Sequence, residues 1–271
     1  MKLPFFALVK RNLNIKASTR SSAVLRIGLV ILAWSLFADR LIIYRTFQSP
    51  DWFVLGILFF IFSGMLCIGW RTKFSNVGFA LVLNFMCFYL GVKDNYSPFT
   101  TFPGGLIAMS IVWLCFLPSG KSFSLDRYIA KAKIKDQNNL FHKEIGQVWA
   151  LNLIKFQVAV VYFFAAIDKS YLGFNERLEQ ILQNAYFGSY LPWEGLRFII
   201  FLISVFTVLI LYLLTFGLFI KSWHRWLMPV GIIFHIFIYL LLPVRTFSLT
   251  MILLYISFLD PNDVHYFLKR I

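Results

Sequence analysis

Long apolar runs, each close to the length needed to cross a bilayer, recur through the whole chain and leave few folds open to it. A helix crosses roughly 30 Å of hydrocarbon in about 20 residues, and lipid favours it because it pairs its backbone amides internally. Runs of this kind cover residues 22–44, 52–70, 74–92, 102–117, 147–167, 195–220, 226–242 and 246–259, the fourth and eighth being short. They predict an all-α fold, a polytopic integral membrane helix bundle of about eight transmembrane spans. With 59% of residues hydrophobic, 14% charged and a mean hydropathy of +0.74, an ordinary soluble fold is excluded.

The net charge of +14 would suggest nucleic acid in a soluble protein. Here Lys and Arg cluster between apolar runs, as the positive-inside rule describes, so no nucleic-acid partner is expected and membrane lipid is. Assigning alternate loops to opposite faces puts 18 of the 26 basic residues on one side, which makes both termini cytoplasmic. No repeat or linker divides the chain, so residues 1–271 read as one transmembrane domain. The charged stretch from Met1 to Arg26 has no cleavage site behind a short apolar core, so the first span is expected to remain as an anchor. Cys67, Cys87 and Cys115 all sit inside apolar runs without ligand spacing and read as small hydrophobes.

Two loops stand out. SLDRYIAKAKIKDQ, within residues 118–144, reads as a basic amphipathic helix on the inner leaflet or simply as a topology determinant. Residues 168–194 form the longest outer segment, with Asp168, Glu176, Glu179 and Glu194 against Lys169 and Arg177. Its Tyr186 to Tyr190 stretch has the aromatic character of an interface.

No GxGxxG, Walker loop, HExxH or GxSxG is present, which leaves ionisable groups at membrane depth as the carriers of any chemistry. Asp39 and Arg40 close the first span on its outer side and read as an interfacial ion pair or as substrate contacts. Lys155 belongs toward the inner leaflet, where its side chain can snorkel. Asp168 and Lys169 end the fifth span, and Tyr162 lies seven residues before Lys169 on the same helical face. A partly desolvated lysine sheds its proton more readily and can act as a base, although an adjacent carboxylate opposes this. His235 lies mid-span among apolar residues, as a packing residue or a pocket residue. No His cluster forms, so no metal is expected.

RIGLVILAWSL in the first span, FLPSGKSFSLD after the fourth, FQVAVVYFFAAIDKS in the fifth and GIIFHIFIYLLLPVRTFSLTMILLYISFLD at the end together resemble the HTTM domain. That domain is shared by vitamin K-dependent gamma-carboxylase and many bacterial membrane proteins. The resemblance covers nearly the whole chain and implies a location in the bacterial inner membrane. It matches Lys169 to the lysine that deprotonates vitamin K hydroquinone, with Asp168 replacing that lysine's neighbour, and it implies a quinone or isoprenoid lipid as cofactor. A departure accompanies it: the family's upstream histidine falls at Pro103, which has no acid-base chemistry. Only residues 261–271 follow the last span, with no counterpart of the enzyme's large lumenal domain. LEQILQNAYFGSY is similar to a segment of the stand-alone HTTM proteins that mature a sporulation-delaying peptide toxin with a small soluble partner.

These observations lead to three functional expectations. The first is maturation or modification of a secreted or membrane peptide at the outer face, with a soluble partner protein. Lys169 and Asp168 would be its catalytic groups, and Tyr162, His235, Asp39 and Arg40 would contact substrate. The second is a quinone- or lipid-dependent redox enzyme without carboxylation. The third is a peptide exporter or immunity-type binding protein without catalysis.

Overall fold

The computed structural model describes residues 14–45, 50–90, 101–132, 144–171, 173–184, 193–242 and 244–270. In chain order these form β1 (Lys16–Ser18), α1 (Arg20–Asp39), α2 (Pro50–Ile68), α3 (Thr72–Asn84), α4 (Phe102–Leu114), α5 (Leu125–Ala132) and β2 (Ile145–Gln147). There follow α6 (Leu151–Ser170), α7 (Phe174–Gln183), α8 (Trp193–Gly217), α9 (His224–Leu241), α10 (Arg245–Leu254) and α11 (Pro261–Arg270). Widened π turns extend α1 through Arg40–Arg45 and α3 through Phe85–Leu90.

Each of the eight apolar runs carries a helix, and the fold is all-α, with one short ladder among the described residues. Among the described residues three helices, Arg20–Ile42, Leu151–Ser170 and Gly195–Gly217, are long and apolar enough to cross a membrane. The other apolar helices are shorter; the ten residues of α10 span about 15 Å at 1.5 Å per residue, half of a hydrocarbon core. The fifth run starts its helix at Leu151, not at 147, because Lys16–Ser18 pairs antiparallel with Ile145–Gln147 and holds that backbone extended.

The chain divides into two compact units, one of Met1–Ile154 with Leu259–Ile271 and the other of Lys155–Phe258. In the first, Leu25, Leu29, Ala33 and Phe37 repeat every fourth residue down one face of α1 and are fully buried. Phe59 of α2 packs edge-on to Phe37 (6.3 Å between centroids) and to Phe79 of α3 (5.4 Å). Trp34 Nε1 donates to Ser63 Oγ at 2.7 Å. Between membrane helices such contacts stabilise through close packing and hydrogen bonds, since lipid offers little water to expel.

FLPSGKSFSLD proves to be a structural clasp. Arg26, which its place in the basic tail made a topology residue, is fully buried in α1. Its Nη1 donates to the Ser119 carbonyl at 2.7 Å and its Nη2 to that of Phe123 at 2.5 Å. Those bonds offset part of the cost of burying a guanidinium. Asp126 then caps α3, accepting from the Arg71 amide (2.8 Å), the Thr72 amide (2.7 Å) and Thr72 Oγ1 (2.7 Å). Buried Glu144 joins Arg20 at 3.2 Å and also pairs with Arg127, while His265 Nδ1 of α11 lies 3.8 Å from it.

The helix expected in SLDRYIAKAKIKDQ is α5, which buries none of its residues. The rest of that segment, and Tyr186–Tyr190, lie outside the described residues. In the second unit α8 exposes Phe198, Phe206, Leu209 and Phe216, an apolar surface suited to acyl chains.

Candidate functional site

The sequence-derived site residues fall into three groups. The first is at the end of α1, where Arg40 Nε lies 3.4 Å from Asp39 Oδ2 and both side chains are about half exposed. Asp39 Oδ1 also accepts the Arg40 amide at 2.7 Å. The carboxylate thus competes for a backbone donor where the α-helix widens into the π turn. The Asp39–Arg40 ion pair is formed, in a different unit from the remaining candidates.

The second group gathers where α6 ends. Asp168 Oδ2 lies 3.8 Å from Lys169 Nζ and 3.6 Å from Arg177 Nη1, so one carboxylate serves two cations. Arg177 reaches it because the chain reverses after α6. Gly173, at φ +101°, takes a left-handed conformation that other residues resist, and α7 starts at the next residue. That reversal sets the Phe174 ring 5.8 Å from Lys169 Nζ, a cation–π distance. The Lys169 side chain is 30% exposed, and its ammonium stands between a shared carboxylate and an aromatic face. Arg177 read in the sequence only as a loop charge; the GF pair that turns the chain was the available sign.

The third group is buried. Tyr162 Oη lies 2.7 Å from His235 Nε2 and 2.6 Å from Tyr255 Oη, with all three residues about 1% exposed. The Tyr162 hydroxyl donates to one neighbour and accepts from the other. His235 Nδ1 has no hydrogen-bond partner among the described residues. Two proton arrangements satisfy the pairs. If Tyr162 donates to Nε2, Nδ1 carries the ring proton; if Nε2 donates to Tyr162, Nδ1 keeps a lone pair and Tyr162 donates to Tyr255. The two arrangements differ in the ring tautomer and in the direction of the hydroxyl bonds, and Nδ1 is a donor in the first and an acceptor in the second. Phe234, Phe247 and Tyr255 surround the imidazole edge-on, at centroid distances of 5.5, 5.6 and 6.4 Å.

Tyr255 was not among the sequence candidates. It approaches because α9 has no side chain at Gly231, where a Cβ would lie 1.9 Å from Tyr255 Oη. Tyr162 and Lys169 share a face of α6 about 10 Å apart along the axis. No hydrogen bond joins them. Lys155, expected to snorkel, has its Nζ 5.9 Å from the Phe258 ring centre. Pro103 stands at the start of α4, where a missing N–H leaves no helical bond unmade. Among the described residues no three of His, Cys, Asp and Glu gather as metal ligands.

Comparison with known proteins places these residues in a family. The HTTM domain model matches residues 41–262, most of the chain, including Tyr162, Asp168, Lys169, His235 and Tyr255 and stopping short of Asp39 and Arg40. Neither the curated proteins nor the solved structures contain a match. On the family match, this membrane protein belongs to the HTTM domain family, a carboxylase-like family.

Proposed function

We propose that this protein matures or modifies a secreted or membrane peptide at the outer face of a bacterial inner membrane, with Lys169 as its central polar group. In this reading residues 1–271 act as one HTTM domain that crosses the bilayer about eight times with both termini cytoplasmic. A soluble protein would present the peptide. The observation that carries the reading is the arrangement on α6, where Lys169 follows, two turns on, a tyrosine bonded at both sides of its hydroxyl. A partly buried ammonium is suited to pass a proton, and Arg177, by drawing on the same carboxylate, weakens the pairing with Asp168 that would hold the proton on Lys169. Lys169 would exchange that proton with the peptide, and Asp168 would hold the resulting charge with Arg177 drawing on the same carboxylate. Tyr162 and His235 would line the pocket, and the exposed Asp39–Arg40 pair would meet charged groups of the peptide. Replacing Lys169 by Ala at matched expression should leave the mass of the target peptide unaltered by the protein; continued conversion would overturn the catalytic role.

A second reading, proton chemistry on a quinone or isoprenoid lipid, draws support from His235. Its spare Nδ1 in an aromatic surround fits a ring that bears oxygens, and Tyr162 and His235 would hold it. A quinone would supply redox chemistry that these side chains lack. Mass spectrometry of the detergent-purified protein should then find such a lipid retained, and lost in His235→Leu; finding only bulk phospholipid would reject this reading.

A further inference from the structure

The first unit carries a cavity that the proposed function does not use. It lies beside the clasp between α3 and α4, at the helix ends that the charge pattern assigns to the cytoplasm. Two adjoining hollows of about 470 and 660 Å³ share Lys73, Cys115, Leu117, Pro118 and Lys121 in their walls. Arg71 adds a third cation to one and Lys16 to the other. The single acid in the lining, Asp126, is turned onto the amides of Arg71 and Thr72 and the Thr72 hydroxyl. Phe74, Leu117 and Phe116 supply apolar wall.

Charge of this kind alone would be no more than a topology signal. Two buried polar groups point further. Ser119 and Asn76 are among the residues that line the first hollow and are 1% and 2% exposed, and Ser119 Oγ and Asn76 Oδ1 have no hydrogen-bond partner among the described residues. A buried hydroxyl and a buried amide oxygen left unmatched call for a ligand that supplies both an acceptor and a donor. A phosphodiester by itself offers acceptors only; one that bears a polyol offers acceptors and donors. The apolar wall provides for an acyl chain.

We infer that this cavity binds the headgroup of an anionic phospholipid whose phosphate carries a hydroxylated substituent, as in phosphatidylglycerol. Lys73 and Lys121 hold the phosphate, the Ser119 hydroxyl donates to a phosphate oxygen, and Asn76 Oδ1 accepts from a headgroup hydroxyl. Basic pockets between helices at the cytoplasmic side are suited to such headgroups. The site is independent of Lys169 and of any peptide chemistry.

The test uses the full chain in nanodiscs made from equal amounts of phosphatidylglycerol, phosphatidic acid and phosphatidylcholine, with retained lipid read by native mass spectrometry. Wild type should retain phosphatidylglycerol about tenfold over phosphatidylcholine, and Lys73→Ala/Lys121→Ala should abolish that enrichment. The charge-matched Lys131→Ala/Lys221→Ala control, at exposed residues that are not part of the cavity lining, should keep it. Asn76→Ala should lose the preference for phosphatidylglycerol over phosphatidic acid. No enrichment in wild type, or an equal loss in the control pair, would overturn the site. Binding of inorganic phosphate that displaces the lipid at comparable concentration would assign the cavity to free phosphate and overturn the lipid inference.

Discussion

Replacing Tyr162 by Phe isolates the buried relay, because only the hydroxyl is lost while the ring still fills its place. That hydroxyl sits between His235 Nε2 at 2.7 Å and Tyr255 Oη at 2.6 Å. Its removal strands both, and since His235 Nδ1 has no partner among the described residues, the imidazole is left without a described hydrogen bond. A stranded buried polar group costs about 1–3 kcal/mol in water-soluble proteins. Hydrogen bonds between membrane helices average nearer 0.6 kcal/mol, because the unfolded chain in the membrane finds other partners. Two stranded groups therefore set the loss at about 1–6 kcal/mol. Tyr255→Phe is milder: Tyr162 keeps its bond to His235, and the loss is about 0.6–1 kcal/mol. The double variant should be no worse than Tyr162→Phe alone, since it removes a hydroxyl already stranded. Denaturant titration of all three variants in mixed micelles measures the order. If Tyr255→Phe matched or exceeded Tyr162→Phe, or if the double variant were additive, Tyr162 would not be the centre of the network.

Gly231→Ala should disrupt the same network from the opposite helix. Its methyl would fall 1.9 Å from Tyr255 Oη, so the ring must move, and about 1–3 kcal/mol should be lost in the same titration. Asp126→Ala should destabilise the first unit by about 1–2 kcal/mol through loss of the α3 cap, read as earlier hydrogen exchange at the start of α3. His265 gives a pH dependence. Burial, then the charges of Arg20, Lys269 and Arg127, hold its pKa below the ordinary 6.5, and Glu144 beside it is already paired with Arg20 and Arg127. The unfolded state therefore binds the proton first: the contribution is full above pH 6.5 and is lost as pH falls from there through the lower folded value. His265→Gln should flatten that slope in a thermal melt series.

How much of this was legible depended on how local each signal is. A transmembrane helix satisfies its own backbone, so every apolar run announced its helix without reference to the rest of the chain. The Asp168–Lys169 pair and the shared face of Tyr162 and Lys169 were likewise visible, being neighbours along one helix. Tyr255 was not, because it reaches Tyr162 from 93 residues away and depends on a missing side chain at Gly231. Within MILLYISFLD it reads as one more aromatic. Arg26 looked like topology because its partners are backbone carbonyls, which no side-chain pattern encodes. The three-residue strands are too short for alternation to show, which is why the fifth helix starts later than its apolar run.

Catalysis requires Lys169 to give up a proton, a structural role only that it balance Asp168, and Lys169→Arg separates the two. A guanidinium keeps the charge, the partner carboxylate and the stacking on Phe174, and at working pH it does not release its proton. The decisive measurement is the mass of the target peptide from cells that carry wild type, Lys169→Arg or Lys169→Ala at equal membrane levels. Converted peptide in wild type alone is the expected result; conversion by Lys169→Arg at the wild-type rate would contradict the account and leave Lys169 a structural ion pair.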